Sequence, residues 1–194
     1  MAEQQYSPFI VGIGGTTRPG SSTEQALALA LSAAECQGAR TQLFGGEHLA
    51  ALPHYLTPAA QISIEGKALV EAIRAADGII IASPGYHGSI SGLVKNAIDY
   101  IEDTSKDERA YLDGLPVGLI VTAWGWQATG STLGALRSIV HALRGWPTPL
   151  GATINTSQTA FEGGSCSDAG AAGQLAAVGR QVHEQALLRL HTHH

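Results

Sequence analysis

A short stretch near the beginning of the chain combines glycines, hydroxyl side chains and one guanidinium. It is Gly15-Thr16-Thr17-Arg18-Pro19-Gly20-Ser21-Ser22-Thr23, between an apolar run and an amphipathic helical pattern. Free N–H groups at the start of a helix attract anions, and glycines let a phosphate approach the backbone. The stretch therefore predicts a phosphate site, although a glycine-rich turn that binds nothing would have the same pattern. The candidate ligands are Thr16, Arg18, Ser21, Ser22 and Thr23.

The spacing of these glycines distinguishes between kinds of phosphate loop. The chain has no G-x-x-x-x-G-K-[ST] motif, and position 17 is a threonine where G-x-G-x-x-G needs a glycine. A dinucleotide site also needs an acidic residue at the tip of the second strand, but the second apolar run ends Leu43-Phe44-Gly45-Gly46. A single phosphate, as in a mononucleotide, fits this loop better.

Strand-like and helical patterns alternate along the whole chain, which predicts an α/β fold. Such alternation is typical of a parallel sheet with helices on both faces, here a doubly wound, five-stranded sheet in the order 2-1-3-4-5. Residues 45–63, 103–113 and 158–167 are expected to be irregular. The predicted strands are 8–14, 39–44, 78–83, 116–123 and 148–155, and the predicted helices are 22–37, 64–76, 91–102, 131–144 and 168–190.

In a sheet of this order, ligands bind at the carboxyl ends of strands one and three, where the winding direction reverses. The phosphate-type turn follows strand one. A second loop, Pro84-Gly85-Tyr86-His87-Gly88-Ser89, follows strand three. Two independent signals thus fall at the edge of the sheet where the topology predicts a site.

These two stretches resemble the NADPH-dependent FMN reductase family of flavodoxin-like proteins. The first, 15–23, is similar to the family's G-S-x-R-x-x-S-x-N loop. The second, S-P-G-Y-H-G-S-I-S-G-L-V-K-N-A-I-D-Y over 83–100, is similar to T-P-E-Y-N-G-S-I-P-G-x-x-K-N-A-I-D-W. In this chain Gly85 stands where the family has Glu, and His87 where it has Asn.

The resemblance assigns roles to residues of both loops and of a third loop after strand four. Thr16, Arg18, Ser21 and Thr23 would hold the FMN phosphate, and Ser22 would either join them or cap the helix. The residues lining the isoalloxazine ring would be Pro84, Gly85, Tyr86, His87 and Gly88, completed by Trp124 and Gly125.

Several of these residues have a second interpretation. Tyr86 could pack in the core, and His87 could be a solvated loop residue or contact a second substrate. Trp124 and Trp126 could stack on a flavin or a nicotinamide, or fill a subunit interface. Lys95, Asn96 and Asp99 are expected on a helix, in capping, pairing or interface roles rather than in chemistry.

The activity that the resemblance implies is NAD(P)H-dependent reduction of FMN. NADPH or NADH would be the electron donor, and the acceptor would be a quinone or azo compound or a flavin-dependent monooxygenase. No catalytic side chain is assigned, because the cofactor performs the hydride chemistry. The alternatives are a non-enzymatic FMN electron carrier and a cofactor-free binding domain. The family also implies a homodimer or homotetramer.

Composition limits the class of protein. The chain has 194 residues, 44% hydrophobic and 14% charged, with a net charge of −5. This predicts one cytoplasmic domain over 1–190 that binds neither nucleic acid nor membrane. Cys36 is expected to pack inside and Cys166 to lie in a loop. His191, His193 and His194 form a tail that is expected to be disordered or a tag remnant, and no metal site is predicted.

Overall fold

The computed structural model describes residues 6–192. The strands are β1 (Phe9–Gly14), β2 (Arg40–Phe44), β3 (Gly78–Tyr86), β4 (Ser89–Ile90), β5 (Pro116–Ala123), β6 (Trp146–Asn155), β7 (Phe161–Glu162) and β8 (Ser165–Cys166). The helices are α1 (Ser22–Glu35), α2 (Gly46–Ala51), α3 (Pro58–Ile62), α4 (Ile64–Ala75), α5 (Gly92–Asp99), α6 (Trp126–Ala142) and α7 (Ala169–Thr192), with a 3-10 turn at Tyr100–Thr104.

The five long strands form a parallel sheet in the order β2-β1-β3-β5-β6, with the short β4 paired antiparallel to β3. Numbered among the long strands alone, this is the predicted order 2-1-3-4-5, so the predicted topology is confirmed. β1 lies between β2 and β3, and the winding direction reverses there. The carboxyl ends of β1 and β3 are therefore adjacent.

Consecutive residues of the central strands serve two separate cores, because side chains of a strand alternate between the faces of a sheet. Ile79 and Ile81 belong to the core under α2, α4, α5 and α6. Ile80 belongs to the core under α1 and α7. All three side chains are fully buried. Burial on both faces explains why these strands are continuous apolar runs.

The region 45–63, expected to be irregular, contains the short helices α2 and α3. Pro58 is the first residue of α3, where a missing N–H costs nothing, and the hydroxyl of Thr57 accepts from the N–H of Ala60. The expectation of an irregular segment is therefore wrong for these two short helices. The hairpin of β7 and β8 likewise lies inside the predicted loop 158–167.

Two other predicted bounds were wrong, and so was the predicted burial of Cys36. α6 begins at Trp126 rather than at 131, so its loop is only Trp124 and Gly125. α5 ends at Asp99, where a 3-10 turn replaces the predicted last turn. Cys36 is exposed at the end of α1 rather than packed inside. The helix α7 continues to Thr192, past the start of the predicted tail at 191, and His193 and His194 lie outside the described residues.

Candidate functional site

The tips of β1, β3 and β5 meet at one edge of the sheet and bring the three predicted loops together. The pairing register places Gly14 of β1 beside Ala82 of β3. It places Pro84 of β3 beside Thr122 of β5. The loops that follow are 15–21, 87–88 and 124–125. The predicted site residues are therefore neighbours in space, although they come from distant parts of the chain.

The loop between β1 and α1 presents its polar groups to solvent. The Arg18 side chain is exposed and makes no hydrogen bond or ion pair with the residues that the structure describes. The Thr16 hydroxyl accepts from the backbone N–H of Arg18 at 3.2 Å and fixes the turn that presents this guanidinium. Gly20 has a φ of +64°, which glycine adopts without strain. An exposed guanidinium on an ordered turn is available for an anion.

The first turn of α1 contributes backbone donors to the same place. Ser21 is the N-cap, and its hydroxyl accepts from the N–H of Glu24 at 3.3 Å. Ser22 is the first helical residue, so the alternative that Ser22 caps the helix is wrong. The N–H groups of Ser22 and Thr23 have no acceptor within the helix, as is general for the first turn. They lie beside the exposed loop, where an anion would be stabilised.

The side chain of Thr23 has a different partner from the predicted one. Its hydroxyl lies 2.6 Å from the hydroxyl of Thr122 at the tip of β5. Both residues are buried, with exposed fractions of 2% for Thr23 and 3% for Thr122. Thr23 therefore faces the sheet, and its backbone N–H remains its available donor toward the loop.

Glu24 is a residue of this site that the motif does not indicate. Its Oε2 accepts from the backbone N–H of Gly46 at 2.5 Å, joining the first turn of α1 to the start of α2. The glycines there allow the loop and α2 to approach closely, since a Cβ on Gly15 would lie 2.7 Å from the Gly46 nitrogen. The paired glycines Gly45-Gly46 in the sequence were the only signal of this contact.

The second loop is a tight β-hairpin rather than an open loop. Tyr86 pairs with Ser89, and the two residues between them, His87 and Gly88, have φ values of 50° and 86°. Positive φ at both positions is the type I′ geometry that favours Asn-Gly, and histidine also tolerates the left-handed region. His87 is thus exposed at a turn tip in a backbone conformation that fits the sequence pattern.

The hairpin is fixed from both sides by buried hydroxyl groups. Ser83 donates to the carbonyl of Pro84 at 2.9 Å and accepts from the N–H of Ser91 at 3.1 Å. Thr132 of α6 donates to the carbonyl of Ser89 at 3.3 Å. These bonds connect the hairpin to the start of α5 and to the second turn of α6, so its position relative to the sheet is well defined.

Gly85 gives α6 the space to approach the hairpin. A Cβ at this position would lie 2.8 Å from the Thr132 Oγ1 and 3.2 Å from the carbonyl oxygen of Ala128. The first turns of α6 therefore occupy the volume that a glutamate side chain would need. This explains in physical terms why the motif differs here.

Three large aromatic side chains are exposed around this edge of the sheet. The exposed fractions are 53% for Tyr86, 80% for Trp124 and 57% for Trp126. The alternative in which Tyr86 packs in the core is therefore wrong. Exposed aromatic rings of this size offer flat apolar surface to a ligand or a partner.

The sequence comparison assigns a family to this arrangement. A sequence model of the family described as NADPH-dependent FMN reductase matches residues 8–159. This chain belongs to that family. The matched range includes all three tip loops, so the family pattern extends over the whole candidate site.

Proteins similar to this FMN reductase family member include an FMN-dependent NADPH-azoreductase of Staphylococcus haemolyticus (strain JCSC1435), 37% identical over 89 residues. A protein of the same description from Staphylococcus aureus (strain USA300) is 40% identical over 83 residues. The aligned parts cover 46% and 43% of this chain but only 44% and 40% of those proteins. The similarity therefore spans less than half the length of these relatives.

Among solved structures, the flavodoxin, WrbA-like protein from Agrobacterium tumefaciens is similar with a TM-score of 0.66 and 17% identity. The match covers 94% of this chain and 99% of that one. The flavoenzyme FerB, an NAD(P)H:acceptor oxidoreductase from Paracoccus denitrificans, has a TM-score of 0.68 and 21% identity, with 92% and 98% coverage. The predicted flavodoxin-like fold is confirmed.

The K-N-A-I-D part of the family motif has a structural role in this FMN reductase family member. Asn96 Oδ1 accepts from the N–H of Tyr55 at 2.9 Å, and its Nδ2 donates to the carbonyl of Pro53 at 3.1 Å. Lys95 and Asp99 form an ion pair one helical turn apart. These residues hold a loop and pair with each other, as expected, and do not face the strand tips.

The most strongly perturbed tyrosine also lies near this loop. Burial, together with the hydrogen bond that its hydroxyl donates to Asp103 at 2.9 Å, raises the pKa of Tyr55 to about 12.

Two surface grooves lie away from the strand tips. One, of about 490 Å³, lies between α5 and α6 and is lined by Tyr55, Leu56, Ile98 and Ile139. A second groove, of about 400 Å³, lies at the opposite edge of the sheet beside Trp146. Neither groove includes a residue of the three tip loops.

The donor set at the strand tips fits the phosphate of a mononucleotide. An exposed guanidinium, helix N–H groups and hydroxyls are groups that bind phosphate in proteins, and the neighbouring carboxylate of Glu24 accepts from the N–H of Gly46. Within residues 6–192, no group of three or more His, Cys, Asp or Glu side chains is placed to hold a metal ion. Across the same residues, no helix is both long and apolar enough to cross a membrane.

Proposed function

We propose that this protein is an NAD(P)H-dependent FMN reductase that passes electrons to a small-molecule acceptor of the quinone or azo type. The observation that supports this most is the convergence of a phosphate-type loop and a rigid hairpin at the tips of β1 and β3, within the matched family range. The azo class follows the description of the curated relatives. Delivery of reduced flavin to a flavin-dependent monooxygenase is the other acceptor consistent with the family.

Residues on the loop between β1 and α1 would hold the FMN phosphate. The guanidinium of Arg18 would supply the positive charge, because it is exposed and already presented by the Thr16 turn. The hydroxyls of Thr16, Ser21 and Ser22 and the N–H groups of Ser22 and Thr23 would complete the donor set. The Ser21 hydroxyl has one acceptor bond in use, and its hydrogen remains available.

Residues of the hairpin and of the third loop would line the isoalloxazine ring. Pro84 is buried and Gly85 half-buried, so they would contact the ring through backbone, with His87 and Gly88 at its edge. The exposed rings of Tyr86 and Trp124, next to Gly125, offer flat surfaces against which planar groups can stack. Bound FMN would supply the redox chemistry itself, while the protein binds and orients both partners.

We further propose that residues 1–190 act as one domain, in the cytoplasm, and as a homodimer or homotetramer. The groove between α5 and α6, with exposed Leu56 at its edge, supports association of copies. A non-enzymatic electron carrier remains the second candidate function, and turnover distinguishes the two.

The test is NADPH and NADH oxidation at 340 nm by the purified full chain, with FMN and then with an azo dye or a quinone. We expect turnover that requires FMN. Arg18→Ala should weaken FMN binding by about tenfold or more, as expected for loss of a charge-assisted contact. Arg180→Ala removes another exposed arginine, one in the middle of α7 and outside the three tip loops, so it is the matched control and should leave binding unchanged.

Three outcomes separate the candidate functions. FMN binding without turnover of either nucleotide would favour the electron carrier. Absence of FMN binding would refute the cofactor assignment altogether. Equal losses in Arg18→Ala and Arg180→Ala would contradict the phosphate role of the loop even if turnover is observed.

A further inference from the structure

We propose that Thr23 and Thr122 are positioning residues that hold the phosphate side and the ring side of the FMN site in a fixed relation through one buried hydrogen bond. This inference rests on the proposed FMN site. The two hydroxyl oxygens lie 2.6 Å apart and join residues that are 99 positions apart in sequence. The bond crosses from the first turn of α1 to the tip of β5.

Thr23 lies on the phosphate side of the proposed FMN site and Thr122 on its ring side. Thr23 immediately follows Ser22 and lies two residues after Ser21, so it belongs to the helix turn that would bind phosphate. Thr122 pairs with Pro84 of the hairpin strand and lies two residues before Trp124. One hydrogen bond therefore connects the phosphate-binding turn with two elements that would line the ring.

Burial makes the bond costly to break. The exposed fractions of Thr23 and Thr122 are 2% and 3%, so water cannot replace a lost partner without a rearrangement. A buried hydroxyl left without a partner is unfavourable, and α1 would shift to relieve it. Because N–H groups at a helix start act on an anion through direction and distance, a shift of this turn would weaken phosphate binding.

The geometry also separates this role from direct ligand binding. The hydroxyl of Thr23 points to the sheet and is used by Thr122, so its loss removes no side-chain contact to a phosphate. Loss of the hydroxyl can therefore weaken phosphate binding only by shifting the first turn of α1. It should therefore act on ligands that carry the phosphate and spare those that lack it.

The experiment measures FMN and riboflavin binding by flavin fluorescence titration of the full chain. The variants are Thr23→Val, Thr122→Val, the double variant and Thr23→Ser. Thr104→Val is the matched control, because Thr104 is equally buried and its hydroxyl donates to Ile101 in a 3-10 turn away from the strand tips. Thermal melting of each variant identifies any that fail to fold.

We expect each valine variant to bind FMN about five- to tenfold more weakly, the scale of one lost buried hydrogen bond. Riboflavin affinity should change by less than about twofold, and Thr23→Ser should restore FMN binding. The double variant should lose no more than either single variant, because the bond is already broken in each. Thr104→Val should lower the melting temperature without a selective loss of FMN.

Equal losses for FMN and riboflavin would overturn the positioning role and leave general stability as the explanation. Additive losses in the double variant would show that the two threonines act independently. If the valine variants do not fold, failure of Thr23→Ser to keep normal FMN affinity would overturn the inference. Failure of the proposed function itself looks different, because the unmodified chain would then bind neither ligand.

Discussion

Replacing Gly85 tests how closely α6 packs against the hairpin. A Cβ at position 85 would lie 2.8 Å from the Oγ1 of Thr132, which is shorter than side chains tolerate. It would also lie 3.2 Å from the carbonyl oxygen of Ala128, a backbone atom that cannot rotate away. Gly85→Ala therefore requires the buried Thr132 side chain to turn, and the hairpin and the first turns of α6 to move apart by a few tenths of an ångström.

The expected cost follows from overpacking of a buried contact. Forcing an extra methyl group into a close-packed site costs about 1–3 kcal/mol, and we expect about 2 kcal/mol here. For a chain of this size this corresponds to a fall in the melting temperature of roughly 4–8 °C. Differential scanning calorimetry measures it directly. Gly85→Glu should lower the melting temperature further, because the longer side chain meets the same backbone.

Gly134→Ala, on the same helix, is the matched control. A Cβ at Gly134 meets nothing within 4 Å, so the substitution should instead stabilise α6 by roughly 0.5–1 kcal/mol. Combining Gly85→Ala with Thr132→Ala should cost at least about 0.5 kcal/mol less than the sum of the two. An unchanged or raised melting temperature for Gly85→Ala would refute the close packing.

Three further predictions concern residues outside the phosphate loop. Asn96→Ala should destabilise the chain by about 1–3 kcal/mol and speed amide exchange at Tyr55, because it removes the two hydrogen bonds that Asn96 makes to the loop at Pro53 and Tyr55. Lys95→Ala, which removes only an exposed ion pair, should cost under about 1 kcal/mol in chemical denaturation. In an ultraviolet titration, one tyrosine should ionise near pH 12 and Asp103→Asn should move it toward 10. The pKa of Tyr55 is higher in the folded chain than in the unfolded chain. The contribution of Tyr55 to the free energy of unfolding is therefore fully present below pH 10 and is lost as the pH rises from 10 to 12. A free energy of unfolding that does not change between pH 10 and 12 would contradict this prediction. His87→Asn should preserve the melting temperature, whereas His87→Val should lower it by about 2–8 °C because of the positive φ.

The sheet could be predicted because its central strands are buried on both faces and leave a continuous apolar signal, as in Ile79-Ile80-Ile81. The strand order then placed the tips of β1 and β3 together. The family motif located the site, and the structure brings its loops to the predicted edge. Local sequence was sufficient here because pattern and topology point to the same place.

The details that sequence did not predict depend on long-range contacts. The partner of Thr23 is 99 residues away, and nothing near either threonine indicates the pairing. The early start of α6 was missed because Gln127-Ala128-Thr129-Gly130 is polar and contains glycine, although Thr129 bonds back to Trp126 within the helix. Propensity is a weak guide where packing against a hairpin decides. The same packing accounts for the glycine at position 85.

The central claim is that the tips of β1 and β3 hold FMN, with its phosphate at the loop 15–21 and its ring at the hairpin. A crystal structure of the chain soaked with FMN tests this most directly. We predict phosphate density within hydrogen-bond distance of the Arg18 guanidinium and of the N–H groups of Ser22 and Thr23, with the ring against Tyr86. Flavin density bound elsewhere, or the same loops closed over an empty edge at saturating FMN, would contradict the account.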